Sequence, residues 1–498
     1  MKLNKKTGNL KWYIALLLMC IAFVTVFSTP TSPLLAGKVT GVDSTIFMVI
    51  GKNWAAGHLP YVETWDHKGP MIFLVNAIGY SLTGNHIGIY LIQIISLFIT
   101  MVLTFKSFSL FQPTRRSLAL TTIILLSLTI NYESGNLTEE YILPLMAGFY
   151  YVLLYYFYKE ENGADGRSSL LLAAFIAGLI LSFSFLTRLT NAMGVCMGCL
   201  VLFVYLLRDK QFKSAVNALL AFLAGFALLT LPIIGYFYAH DALDEMWYAS
   251  ITFNKLNSFA SGGRILDGPF YVMYFFMKFI HCFFLLVPVI MLFMKRSHKQ
   301  AWTWLAIAAT PLVWLVPGRL YSHYGMTITL LSAIAIILLL NIRKENPASK
   351  FGKTAKYLVI GYALYVLATL AVELPGQIST MRSGPKTYPD VDTWFDQYGI
   401  DKDSFLAYNY DWSIYLNRDI TPPIRFFFGQ DDEIRVPELE PLVLESLQKA
   451  KVKWILVGIP IYRKTIKEHV DSNYTLVATG DDCTLYHLNT DTITPPAP

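Results

Sequence analysis

Long runs of apolar residues, separated by short polar segments, dominate the first three quarters of the chain. A helix needs roughly 20 apolar residues to cross the hydrocarbon core of a bilayer. The pattern predicts membrane-spanning helices near residues 12–29, 86–107, 117–131, 141–158, 170–187, 191–207, 214–239, 269–294, 301–317, 326–342 and 357–374. The apolar stretch 70–83 is shorter, so it predicts a re-entrant or interfacial segment.

Residues 43–54 show a different pattern, in which Ile46, Phe47, Ile50 and Trp54 share one helical face. This pattern predicts an amphipathic helix lying on the outer leaflet of the membrane. An ordinary packed loop helix is the alternative.

The pattern becomes polar after residue 375. There, helical periodicity predicts helices over Asp390–Tyr398, Glu438–Lys449 and Tyr462–Val470. Short alternating segments predict strands over Phe405–Tyr408, Trp454–Val457, Tyr474–Ala478 and Thr484–His487. The sequence therefore predicts a mainly α protein, with a membrane domain of about eleven helices over residues 1–374 and a small α/β domain over residues 375–498.

Composition agrees with a membrane protein, since 54% of the 498 residues are hydrophobic and 15% are charged, against about 25% charged in soluble domains. Half of the chain's 40 Lys and Arg residues fall in short segments that the predicted helices place on one side of the membrane. Such segments face the cytoplasm, so we expect a cytoplasmic N-terminus and an extracytoplasmic C-terminal domain. No basic tract interleaved with aromatics indicates nucleic-acid binding.

The five cysteines form no disulfide framework. Cys196 and Cys199 have the spacing of a redox motif, but they lie within a predicted membrane helix and are interpreted as packing residues. The short cytoplasmic loops contain no GxGxxG or Walker motif. No nucleotide cofactor is therefore expected, and an activated substrate has to come from the membrane or from outside.

Polar residues that suggest chemistry cluster in two predicted outer loops. Asp43 precedes the aromatic and charged run Tyr61-Val62-Glu63-Thr64-Trp65-Asp66-His67-Lys68-Gly69-Pro70, and Glu139 and Glu140 open a helix in the second loop. A carboxylate base and a cation beside the bilayer are suited to a lipid-linked phosphate substrate.

The order of these segments resembles that of the GT-C glycosyltransferases, in the bacterial branch related to protein O-mannosyltransferases and the lipid A aminoarabinose transferase (glycosyltransferase family 39-like). That branch has an acidic residue after the first helix, a Gly-x-x-Pro-Tyr element and a Lys-Pro-Pro element. The corresponding residues here are Asp43, Gly57-His58-Leu59-Pro60-Tyr61 and Lys68-Gly69-Pro70, in which Gly69 replaces a proline. Gly135–Tyr141 resembles the second acidic motif, and Pro317–Tyr324 a late Arg/His motif.

The resemblance implies a hexosyl- or pentosyltransferase of the bacterial plasma membrane. The donor would be a polyprenyl-phosphate sugar, and the acceptor an extracytoplasmic glycan, lipid or protein. Asp43 is the candidate base, with Glu139 and Glu140 as further catalytic candidates. The donor phosphate would be bound by Lys68, Arg188, Arg319 and His323. One base and no covalent intermediate would invert the anomeric centre.

Each candidate also has a structural interpretation. Asp43 is suited to capping a helix, Lys68 to anchoring at the interface, and Glu139 and Glu140 to a helix N-terminus. Arg188 could be a turn charge, and His323 a packing group.

A divalent metal (Mg, Mn or Zn) is a further hypothesis, with Asp43 and Glu139 as candidate ligands and Asp66 and His67 as ligands or supporting groups. If Asp43 binds metal, it is less available as the base. Two other functions stay open. A lipid-linked glycan flippase or transporter usually carries charges within its spans, and a glycan polymerase also uses lipid-linked donors.

Overall fold

The structure is a computed structural model, and it describes residues 9–38, 43–258, 268–315, 321–345, 347–428, 436, 438–450 and 452–489. Contacts divide the chain into two compact units, and each is described separately. The first unit comprises Met1–Ser28, Leu91–Gly235 and Gly262–Ser379, and the second comprises Thr29–Tyr90, Tyr236–Ser261 and Thr380–Pro498.

Helices make up most of the described chain. Up to residue 239 they are α1 (Leu10–Phe27), α2 (Asp43–Ala55), α3 (Pro70–Thr83), α4 (His86–Ser109), α5 (Thr114–Ser127), α6 (Thr138–Glu161), α7 (Arg167–Phe185), α8 (Met193–Arg208) and α9 (Phe212–Ala239). They continue as α10 (Leu243–Trp247), α11 (Asn254–Ser258), α12 (Pro269–Lys278), α13 (Ile280–Met294), α14 (His298–Leu315), α15 (Leu331–Glu345) and α16 (Lys350–Arg382).

Seven helices in the described ranges are long and apolar enough to cross a membrane, and an eighth span results if α12 and α13, which meet at a 65° bend, count as one. The total of eleven spans stays a prediction. Helix α3 covers the stretch 70–83 and has only 14 residues, shorter than a membrane-spanning helix. Several helices differ from their predicted bounds: α5 ends in a 3-10 turn at Leu128–Ile130, α15 begins only at Leu331, and α16 extends beyond the predicted span 357–374 at both ends.

Helices α7 and α9 of the first unit approach each other through two glycines. A Cβ on Gly178 would lie 2.0 Å from the carbonyl oxygen of Phe222, and a Cβ on Gly225 would lie 2.1 Å from that of Phe175. Small residues at such positions let the backbones of membrane helices pack closely. The close contact between α7 and α9 therefore requires glycine at both positions.

The second unit contains the sheet. Strands β1 (Phe405–Tyr408), β2 (Trp454–Val457), β3 (Tyr474–Thr479) and β4 (Thr484–Leu488) pair in the order β1-β2-β4-β3. The β1/β2 pair is parallel and the other two are antiparallel. The same part of the chain contains four helices, which are α17 (Pro389–Tyr398), α18 (Ile414–Asn417), α19 (Leu439–Lys449) and α20 (Lys464–Asn473). The four predicted strands are confirmed to within one residue at each end.

The helix predicted over residues 43–54 is found as α2, and all residues from Ser44 to Gly51 are buried, so α2 packs on every side, as the alternative of an ordinary packed helix implies. Its position on a membrane surface stays a prediction. The division into domains at residues 374 and 375 also stays a prediction.

Candidate active site

The first turn of α6 carries Glu139, whose side chain is only 2% exposed. Nη1 of Arg188 lies 3.1 Å from Oε1 of Glu139, and the Thr138 hydroxyl donates a 2.7 Å hydrogen bond to Oε2. A buried carboxylate requires such partners, because burying an unpaired charge costs several kcal/mol. Two predicted site residues far apart in sequence are thus brought together in the first unit.

Arg188 is also fixed on a second side, because its guanidinium stacks on the ring of Tyr324. Arg188 and Tyr324 line a cavity of about 50 Å³, together with Tyr150 and Asn191. The Asn191 Nδ2 atom is buried and has no hydrogen-bond partner among the described residues. The cavity therefore combines a positioned cation with an unused hydrogen-bond donor.

Glu140 has different surroundings from its neighbour. Its carboxylate accepts hydrogen bonds from the Tyr132 hydroxyl (2.7 Å), Nε2 of Gln93 (2.8 Å) and the Asn136 backbone N–H (2.9 Å). Gln93 also bonds to the Ser28 hydroxyl. This buried network uses much of the carboxylate's hydrogen-bonding capacity, which favours a structural role for Glu140.

His323 lies in a 3-10 turn, Ser322–Gly325, and contacts Glu133. The His323 backbone N–H donates to Oε1 of Glu133 at 3.0 Å, and its Nδ1 atom lies 2.8 Å from Oε2. Burial raises the pKa of the Glu133 carboxyl, but the hydrogen bonds and charge of His323 outweigh burial and hold this pKa below its ordinary value. The structure therefore pairs a predicted site residue with a carboxylate that is not among the predicted candidates.

The loop before α6 is held by further polar contacts. The Lys278 ammonium donates to the carbonyl of Ile130 at 2.6 Å, and Nδ2 of Asn131 donates to the carbonyl of Lys278 at 2.9 Å. The Ser322 hydroxyl also donates to the Ile130 carbonyl. These bonds tie the bend between α12 and α13 to the segments that carry Glu133 and His323.

The remaining described candidates lie in the second unit. Asp43 is the first residue of α2 and is exposed, and its carboxylate makes no hydrogen bond or ion pair with any described residue. Asp66, His67 and Lys68 are consecutive and in contact. Nδ1 of His67 lies 3.1 Å from Oδ1 of Asp66, and the Lys68 ammonium lies 2.9 Å from Nε2 of His67.

In this arrangement the Lys68 ammonium can only donate, so Nε2 of His67 is the acceptor. Burial raises the pKa of Asp66, but its contacts with His67, among them the hydrogen bond from the His67 backbone N–H, and the charge of Lys68 outweigh burial and lower this pKa. The Asn254 amide donates to the carbonyl of His67 at 2.6 Å, which holds the segment in place.

Arg319 lies outside the described residues. Within the described ranges, no group of three His, Cys, Asp or Glu side chains comes together as a metal site. The Glu139 carboxylate pairs with Arg188 and accepts a hydrogen bond from Thr138. These contacts are typical of an ion pair. The metal hypothesis stays a prediction, and no reaction step is derived through a metal.

Glu133 and Tyr324 are not among the site residues predicted from the sequence. Tyr324 closes the Arg/His motif, and its aromatic ring beside two cations was a usable signal. Glu133 lies six residues before Glu139 in the same predicted outer loop, but nothing local indicates that its partner is His323.

No protein-family model matches the sequence, and no curated protein matches it either. Solved structures do match. The structure resembles the crystal structure of ArnT from Cupriavidus metallidurans bound to undecaprenyl phosphate, with a TM-score of 0.54 and 13% sequence identity over 96% of this chain and 97% of that chain. The oligosaccharyltransferase AglB from Archaeoglobus fulgidus, solved with an inhibitory peptide and a dolichol-phosphate, matches with a TM-score of 0.45 and 12% identity over 90% of this chain and 69% of that one. The chain has the GT-C fold, as the resemblance in its motifs predicted.

Proposed function

We propose that this protein is an integral membrane glycosyltransferase that moves a sugar from a polyprenyl-phosphate donor to an extracytoplasmic acceptor. The observation that carries the proposal is the agreement, over nearly the whole length of both chains, with a transferase whose structure contains undecaprenyl phosphate. The acceptor is a cell-envelope glycan, a glycolipid or a protein, and the enzyme belongs in the bacterial plasma membrane.

The proposed role of Arg188 is to bind the donor phosphate. Glu139 and Tyr324 hold the guanidinium at the edge of a cavity. The guanidinium has five N–H donors, so it keeps some for a phosphate after binding Glu139. A fixed cation stabilises the charge that the leaving phosphate gains in the transition state. Glu139 then acts as a positioning residue for Arg188.

Asp43 is the proposed base. As the acceptor oxygen attacks C1 of the sugar, the bond between C1 and the phosphate oxygen breaks, and the acceptor proton passes to the Asp43 carboxylate. A phosphate leaving group is a weak base and needs no strong acid. Direct displacement of this kind inverts the anomeric configuration.

Lys68, His323 and Arg319 are proposed as further cations for the donor phosphate. Lys68 is oriented by His67, and His323 by Glu133. Asp66 acts through His67, because its carboxylate accepts from the His67 backbone N–H and holds this residue beside Lys68. Glu140 supports the start of α6 through its hydrogen bonds.

The test is a transfer assay with purified protein in liposomes, radiolabelled polyprenyl-phosphate sugars and an envelope extract as acceptor. Asp43→Asn is compared with the wild type and with Asp209→Asn, which changes an exposed aspartate just after α8. We expect transfer by the wild type and by Asp209→Asn, and at least a hundredfold loss in Asp43→Asn, in the range of general-base effects of about 10²–10⁴.

Three outcomes separate the alternatives. Undiminished transfer by a folded Asp43→Asn protein would remove Asp43 from the mechanism. Movement of the sugar lipid across the liposome membrane without transfer would identify a flippase. A ladder of products that lengthens with time would identify a polymerase.

A further inference from the structure

The second unit contains a cleft of about 360 Å³ that none of the proposed catalytic residues lines. One wall comes from the end of α2 and the loop after it, with Asn53, His58, Glu63 and Thr64. The other wall includes Pro423 and Arg425. The volume lies at the lower end of the range for small-molecule pockets, about 300–1,000 Å³.

Two side chains of the first wall carry buried polar atoms with no hydrogen-bond partner among the described residues. One is Nδ2 of Asn53, a residue that is 3% exposed, and the other is Oγ1 of Thr64, a residue that is 2% exposed. The Nε atom of Arg425, on the opposite wall, is also buried and unpaired within the described chain. Buried polar groups are normally hydrogen-bonded, so three unpaired donors around one cleft indicate a ligand with acceptor oxygens.

The walls are held by hydrogen bonds of their own. The Tyr61 N–H donates to the Thr64 carbonyl at 2.6 Å, and the Trp65 N–H donates to the Arg425 carbonyl at 2.9 Å. Glu63 is bound by the Leu59 N–H at 2.9 Å and lies 2.6 Å from Nδ1 of His58. The unpaired donors are thus presented on a fixed frame, and ordering costs little on binding.

The charges lining the cleft argue against a polyanion. Arg425 and Lys449 are positive, but Glu63 lines the same cleft and Glu445 forms an ion pair with Lys449. The cleft thus offers donors, a carboxylate acceptor and the apolar rings of Pro422 and Pro423. A sugar ring presents the complementary set, because its hydroxyl groups both accept and donate and its C–H faces are apolar.

We infer that this cleft binds a saccharide unit and that, on the proposed function, the unit belongs to the acceptor glycan. Sugar oxygens accept from Asn53, Thr64 and Arg425, and a sugar hydroxyl donates to Glu63. The cleft then selects the acceptor, while transfer itself takes place elsewhere.

The test uses Thr64→Val and Asn53→Leu in the full-length protein, with Thr393→Val on α17 as the control outside the cleft. Binding of glucose, mannose, galactose, N-acetylglucosamine and maltose is measured by saturation-transfer NMR in nanodiscs, with inorganic phosphate as the competing probe. We expect at least one saccharide to bind the wild type and the control, and to bind each cleft variant roughly tenfold more weakly, as for one lost hydrogen bond.

The melting temperature of the free protein is the readout that a purely structural role would change. Thr64→Val removes a hydroxyl that has no partner in the free protein, so its melting temperature is expected to stay equal or rise. A lower melting temperature together with unchanged saccharide binding would overturn the inference. Binding of phosphate alone, or of no saccharide, would overturn it too.

The transfer assay keeps the two proposals distinguishable. If the wild type transfers sugar and both variants keep its acceptor KM, the cleft inference is wrong and the proposed function stands. If the wild type transfers nothing but binds a saccharide that the variants bind weakly, the proposed function is wrong and the cleft inference stands.

Discussion

At the scale of single side chains, Arg188 lies between the carboxylate of Glu139 and the ring of Tyr324. Substitutions of Arg188 can therefore distinguish the contribution of its charge to stability from that of its planar shape. Arg188→Ala leaves Glu139 buried without its cation, which is expected to cost about 3–5 kcal/mol of stability. Arg188→Lys keeps a charge but loses the planar stacking on Tyr324, so we expect a smaller loss. Thermal unfolding in detergent measures both effects.

The control for this prediction is Arg115→Ala, which removes an exposed cation at the start of α5. The double variant Arg188→Ala/Glu139→Gln removes the uncompensated charge as well, so it is expected to regain part of the lost stability. An Arg188→Ala protein as stable as the wild type would contradict the ion pair.

The Glu133–His323 contact predicts a dependence on pH. The pKa of Glu133 is lower in the folded protein than its ordinary value, so its contribution to stability is present above the unfolded pKa, about 4.3. This contribution is lost as the pH falls through the lower, folded pKa. Glu133→Gln is therefore expected to melt at a lower temperature than the wild type at pH 6, and the difference is expected to shrink as the pH falls below 4.

Melting curves recorded by intrinsic fluorescence from pH 7 downward would check this expectation. Glu160→Gln is the control, since it changes a carboxylate in the last turn of α6 that pairs with Lys299. A gap between Glu133→Gln and the wild type that widens toward acid would contradict the sign of the pKa shift.

Individual charged site residues are easier to predict from the sequence than the partners that they contact. Glu139 and Arg188 are both predicted from the resemblance, since Glu139 lies in the second acidic motif and Arg188 lies where the family often has a cation. Their pairing depends on how α6 and the turn after α7 pack, and no local pattern contains that information. For the same reason, the sequence does not indicate that Glu133 contacts His323.

At the scale of helices, the two glycines between α7 and α9 give a direct prediction. Gly178→Ala and Gly225→Ala place a methyl group onto a backbone carbonyl of the other helix, so each is expected to lower the melting temperature by several degrees, about 1–3 kcal/mol for overpacking. Gly235→Ala is the matched control on α9, because its added Cβ meets nothing within 4 Å. It is expected to be neutral or slightly stabilising. Equal effects of all three substitutions would rule out a role for close packing.

The strands of the C-terminal segment were predictable because each is a short run of β-branched and aromatic residues bounded by polar turns. Helix ends within the apolar region were less predictable. The apolar run that predicted a span to residue 131 continues past the end of α5, where the chain tightens into a 3-10 turn and Asn131 bonds to Lys278. Hydrophobicity does not record such a change in backbone geometry.

At the scale of the whole molecule, the distribution of Lys and Arg predicts which segments lie on which side of the membrane. Cysteines introduced at Lys464, whose side chain is 87% exposed, and at the exposed Arg115 test this prediction. In spheroplasts, a membrane-impermeant maleimide is expected to label Lys464→Cys and to spare Arg115→Cys until the membrane is permeabilised.

The wild type provides the background for labelling, because Cys20, Cys282 and Cys483 are buried and Cys196 and Cys199 are only partly exposed. Labelling of Arg115→Cys in intact spheroplasts would reverse the orientation. Labelling of both positions would show that the first cytoplasmic loops or the C-terminal segment had been assigned to the wrong side.

The Glu140 network sets an order for biosynthesis. Its partners, Gln93, Tyr132 and Asn136, and Ser28 behind Gln93 all precede Glu140 in the chain. The ribosome therefore delivers these four residues before the carboxylate to which they are linked. When α6 inserts into the membrane, the hydrogen-bond partners of Glu140 have therefore already been synthesised. The Glu140 carboxylate can form its hydrogen bonds without a helix that is made later.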